Sequence, residues 1–104
     1  MYFKSTISYP LTKSDEVGRK FLEVSEKYPD NESLGDIIVR AAVQATDEGI
    51  QVFSLVKLNN GKTDDAYKDA AQRMVEYRSI EGFKYRFDVL FEVEEALALI
   101  GMGS

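Results

Sequence analysis

"DIIVRAAVQATDEGIQVFSLVKL", residues 36–58, decides the fold. Two runs rich in β-branched residues flank Asp47-Glu48-Gly49, and the glycine supplies the positive φ that a tight hairpin needs. In the first run Ile37, Val39, Ala41 and Val43 face one way, and Ile38, Arg40, Ala42 and Gln44 the other. The second run is apolar on both faces, with Val52, Val56 and Leu58 against Phe53 and Leu55. A strand of that kind belongs in the middle of a sheet or is covered on both sides.

A helical pattern flanks the hairpin on each side. Upstream, "TKSDEVGRKFLEVSEKYP" places Val17, Phe21, Val24 and Tyr28 on one apolar stripe. Thr12 with Asp15 resembles a capping box, Ser14 is an alternative cap, and Pro29 stops the helix. Downstream, Thr63 is an N-cap candidate. Asp64 and Asp65 oppose the helix dipole, Ala66, Tyr67, Ala70, Met74 and Val75 make the apolar face, and Gly82 is the expected stop. Beyond the helices lie two more strands. "YFKSTISY" (2–9) puts Phe3, Ile7 and Tyr9 on one face together with Ser5. "FKYRFDVLFEVEEALALIGM" (83–102) alternates from Phe83 to Val93, then shifts to helical spacing at Ala96, Leu97 and Ile100.

The order β-α-β-β-α-β-α is an α+β, ferredoxin-like βαββαβ pattern with a short C-terminal helix. Right-handed crossovers put both long helices on one face of a four-stranded antiparallel sheet of order 4-1-3-2. That order places strand 50–58 in the interior, where its two-sided apolar pattern had already put it. With 104 residues, the chain is expected to be a single domain spanning 1–104.

Composition narrows the chemistry. There is no cysteine and no histidine, which removes thiolate nucleophiles, disulfides, cysteine zinc sites and the commonest general acid–base and metal-binding side chain. The net charge of -5, without a Lys/Arg cluster, disfavours nucleic acid and anionic membranes as partners. No apolar run approaches the about 20 residues of a membrane span. "MYFKSTISYP" lacks the basic and apolar regions of a signal peptide, so a cytoplasmic protein is expected. No cofactor is implied.

With Phe83 to Val93 toward the helices, the opposite sheet face carries Lys4, Thr6, Arg40, Gln44, Arg86, Asp88 and Glu92 among apolar residues. Such a mixed face is too apolar to lie wholly in water, so a homodimer through the sheet face is expected. The element order, the strand pattern and the closing "FDVLFEVEEALALIGM" resemble the dimeric α/β-barrel superfamily. That resemblance implies two subunits packed sheet to sheet around a lumen. Its enzymatic branches often rely on His or Trp, which are absent here, so no catalytic residue is carried over.

Lys4, Arg40, Gln44, Arg86 and Asp88 are the candidate ligand-binding set, converging on a lumen that would take a small anionic ligand through planar guanidinium forks. The ordinary alternative, cross-strand ion pairs, carries more weight. Glu92, Glu94 and Glu95 suggest a hard-cation site, but acid at a helix start is the simpler reading, and no metal is expected. The Gly-rich anion loop of an acylphosphatase is missing, because Gly18 and Arg19 fall inside a helix. Two functional classes remain. One is a homodimeric binding or structural module. The other is a cofactor-independent, monooxygenase- or isomerase-like enzyme, with Arg40 or Arg86 orienting an anionic substrate and Asp88 or a tyrosine moving a proton.

Overall fold

The computed structural model describes residues 1–103; Ser104 lies outside the described residues. Strand β1 (Tyr2–Tyr9) is followed by helix α1 (Ser14–Lys27) and the hairpin of β2 (Gly35–Thr46) and β3 (Gly49–Leu58). Helix α2 (Thr63–Val75), strand β4 (Lys84–Leu90) and helix α3 (Val93–Leu99) complete the chain. All pairings are antiparallel, in the order β2-β3-β1-β4, so the fold is the ferredoxin-like α+β arrangement with β3 and β1 inside.

The hairpin turn is two residues long. Gly49 has φ 131, and a Cβ there would stand 2.4 Å from the Tyr9 carbonyl oxygen, so only glycine fits. At the other end of the hairpin a Cβ on Gly35 would meet the Lys57 carbonyl oxygen at 1.9 Å. Between these ends β2 departs from simple alternation. Register shifts separate Ile37 from Val39 and Val39 from Ala42, which bulges this edge strand around Arg40.

Two helix starts differ from the sequence expectation. Pro10 opens a 3-10 turn over Leu11–Lys13, so α1 begins at Ser14 and Thr12 does not cap it. Thr63 lies in the first turn of α2 behind Lys62, and its hydroxyl points at the Met1 sulfur, 3.7 Å away. The last strand is shorter than its alternation suggested. β1 begins at Tyr2, whose partner is Leu90, so Phe91 and Val93 have no strand to pair with and are exposed. Helix α3 takes over with Glu92 as N-cap and Glu95 closing a capping box.

The interior is built as two separate clusters. Phe3, Ala66 and Ala70 are buried with Phe87 and Val89 packed on them, and Tyr67 meets the Phe3 ring edge-on at 4.9 Å. Val17, Val24, Tyr77 and Ile80 form the second cluster, with Phe83 stacked on Tyr77 at 4.6 Å. The molecule measures 50 × 31 × 18 Å with a radius of gyration of 15.4 Å. A compact chain of this length would have about 13 Å. The long hairpin and the gap between the two clusters account for the extension.

Candidate functional site

The strand registers sort the side chains of the sheet into two faces. Phe3, Ser5, Ile7 and Tyr9 on β1 stand beside Val56, Ser54, Val52 and Ile50 on β3, and this row lies beneath the helices. Lys4 beside Leu55, and Thr6 beside Phe53, belong to the opposite, open face, together with Asp88 and Arg86 of β4.

Three members of the predicted set meet on that open face. Lys4, Gln44 and Arg86 line a shallow basin of about 400 Å³ with Thr6, Gln51 and Phe53. The Lys4 ammonium sits 5.3 Å from the centre of the Phe53 ring, a cation–π arrangement. The Thr6 hydroxyl is buried there without a hydrogen-bond partner. Asp88 stands beside the basin and accepts a 3.0 Å hydrogen bond from Arg86 Nε, so part of the guanidinium is already engaged. Arg40 is not with them. From the bulged stretch of β2 it donates two hydrogen bonds, of 3.1 and 2.7 Å, to the Asp30 carboxylate in the loop after α1. That pairing holds the Asp30 carboxyl below its ordinary pKa and raises the Arg40 guanidinium.

The larger concavity is on the helix side, where sequence reasoning placed no site. A cleft of about 970 Å³ opens between α1 and the β2–β3 half of the sheet. Its walls include Ile7, Val24, Val39, Val52 and Val56, with Phe21 at the side. Its floor is low because Ser5 and Ser54 stand directly opposite each other in a row otherwise filled by Phe3, Val56, Ile7 and Val52. Its α1 wall is thinned by Gly18, where an added Cβ would meet nothing within 4 Å. The two guanidinium groups that line it are already paired, Arg40 with Asp30 and Arg73 Nε with Asp69 at 2.9 Å, while Glu32 and Asp36 line it without an ion pair among the described residues. Two tyrosines line the end of the cleft. Burial raises the Tyr9 hydroxyl above its ordinary pKa and pushes that of Tyr77 up to about 12, so both are neutral hydrogen-bonding groups over a wide pH range. One sequence signal pointed here: Ser5 shares a face with Phe3, Ile7 and Tyr9, a small polar residue where a core side chain belongs.

The acidic cluster has structural partners. Lys57 Nζ lies 3.2 Å from Glu92, and Glu95 accepts hydrogen bonds from the Met1 ammonium and the Glu92 backbone N–H, which lower its pKa. Among the described residues no helix is long and apolar enough to cross a membrane.

A four-stranded ferredoxin-like sheet with one open face and one helix-side cleft is thus the class of domain the geometry defines. No protein-family profile and no curated protein matches the chain. Among solved structures it is similar to a candidate antibiotic biosynthesis monooxygenase from Caulobacter crescentus CB15, 20% identical with a TM-score of 0.48, over 88% of this chain and 89% of that one. It is also similar to a formyltetrahydrofolate deformylase from Pseudomonas putida KT2440, 10% identical with a TM-score of 0.47, over 86% of this chain. The chain spans 29% of the length of that deformylase.

Proposed function

We propose that this chain is a small single-domain binding module that associates as a homodimer through its open sheet face and holds an apolar small molecule in its helix-side cleft. The cleft carries the binding reading. A volume of about 970 Å³ walled by aliphatic side chains suits a drug-sized or larger apolar ligand. Among the described residues that line it, both guanidinium groups are paired, so nothing there draws an anionic ligand, and the Ser5, Ser54 and tyrosine hydroxyls accept or donate to the ligand's polar atoms. Association is supported by the open face, where Phe53 is 37% and Leu90 41% exposed beside Leu55 and Tyr2. The open-face basin of Lys4, Gln44 and Arg86, with Asp88 at its side, remains the candidate anion subsite at or near that interface.

Titration with the neutral fluorophore N-phenyl-1-naphthylamine tests the binding reading. Saturable fluorescence is expected, and it should be lost when Ser54→Phe fills the floor in a chain that still melts cooperatively. Unchanged binding in that variant, or none in the parent chain, rejects the cleft as the site. Sedimentation of the full chain at micromolar concentration tests association; a monomer rejects the homodimer.

A further inference from the structure

Two surfaces of this chain lack cover, and they complement each other. The first is α3. None of its residues is buried; Val93 is 65% and Ile100 71% exposed, and Leu99 and Met102 are comparably open. It is tied to the rest of the chain at its start, through Glu92 with Lys57 and Glu95 with Met1. A helix of seven residues has no stability of its own in water, so its apolar side chains need a surface to lie on. Its Glu94 has no ion pair among the described residues.

The second surface is the open face. Phe53, Leu55 and Leu90 supply its apolar area; Lys4 and Arg86 flank Asp88 with Lys84 further along β4, while Lys57 at the other end stands with Asp36 and Glu92. The stretch from Lys4 to Lys84 is cationic in a chain of net charge -5. Two copies stacked face to face would bring these cations together as they lose water, and like charges at close range oppose association. An element that is apolar along its length and acidic at its start removes both obstacles, and α3 is such an element. It also leaves the sheet beside Leu90 and Tyr2, at the margin of this face.

We infer that α3 is an exchanged arm: in the homodimer each copy lays Val93–Leu99 across the open sheet face of the other, with apolar side chains on Phe53 and Leu55 and Glu94 toward Lys84 or Arg86. The contact is reciprocal, as two-fold symmetry requires. This inference rests on the homodimer proposed above and names the segment that makes it.

The chain has no cysteine, which makes cross-linking clean. A Gln51→Cys chain, with its thiol exposed on the open face, is mixed with a Leu97→Cys chain and treated with a short bismaleimide. A covalent heterodimer of the two variants is expected. Cross-linking within one chain in the Gln51→Cys/Leu97→Cys double variant, with none in the mixture, shows the arm lying on its own sheet and overturns the inference. Sedimentation of a chain ending at Glu92 should show dimer dissociation weakened at least about tenfold. Arg86→Glu should weaken it too, with partial recovery on adding Glu94→Arg. A truncated chain that dimerises as tightly as the full one overturns the arm while the homodimer stands. A monomeric full chain removes the homodimer itself. Should the truncated chain fail to fold, Leu97→Asp in the full chain carries the same test.

Discussion

One face of this sheet is packed over half its width and hollow over the other half. Over β1 and β4, Phe3 sits under Ala66 and Ala70 with Phe87 and Val89 beside it, and small helix residues bring the backbone of α2 close. One step further along, Ser5 of β1 stands opposite Ser54 of β3 and α1 contributes Gly18, so the same two layers leave a cleft of about 970 Å³ that extends over β2. Both halves use small residues, but in opposite ways. In the packed half they face a large aromatic ring and let it fill the space. In the hollow half they face each other, and nothing fills it. A small side chain closes a core only when its opposite number is large.

The contrast is easiest to break from the packed side. Phe3→Ala removes the ring that joins β1, α2 and β4, and should cost about 3–5 kcal/mol in a denaturant melt. Overpacking should then separate the halves. Val89→Phe is expected to destabilise by about 1–3 kcal/mol, because it packs on Phe3, Ala66 and Ala70 away from the cleft. Ser54→Leu should leave stability unchanged or raised while abolishing binding of the apolar fluorophore. Equal losses from both changes would mean that the hollow closes in solution. Gly18→Ala should stabilise by about 0.5–1 kcal/mol, since a mid-helix glycine with open space around it gives up helix propensity for no steric return.

The smallest effects are those of pH. Asp30 at the cleft rim, Glu76 and Glu95 all have lowered pKa values, through hydrogen bonds from Arg40, Lys27 and the Met1 ammonium respectively. Their contribution is present above the ordinary carboxylate range and is lost as pH falls through and below about 4. Tyr77, 2% exposed in the second buried cluster, behaves in the opposite sense. Its pKa is raised to about 12 by burial, so its contribution holds below the ordinary value of 10.0 and is lost as pH rises toward 12. Melting midpoints followed across pH should fall at both ends; a flat alkaline limb would mean that Tyr77 is hydrated.

Much of the fold was legible. The apolar stripes of the helices, the turn at Asp47-Glu48-Gly49 and the two-sided apolar pattern of strand 50–58 led to the observed strand order, because each is a local signal. Lys4, Gln44, Arg86 and Asp88 were also placed correctly on the open face, since strands alternate. Arg40 was not brought together with them. The bulges in β2 depend on how an edge strand twists against its single neighbour, and the Asp30 carboxylate that takes Arg40 comes from a loop before the strand. The length of β4 also escaped, because alternation continues through Phe91 and Val93 although β1, its partner, starts only at Tyr2.

Periodicity thus determined by itself which segments form strands and helices, their order in the sheet, and which side chains share a face. Cysteine and histidine chemistry was excluded by composition alone. Only the tertiary structure decided where helix and sheet fail to meet. A hollow depends on the sizes of residues distant in sequence that come to stand opposite one another, as Ser5 and Ser54 do beneath the gap beside Gly18. Ser5 on an apolar row hints at it locally, but which residues stand opposite it is not a local property.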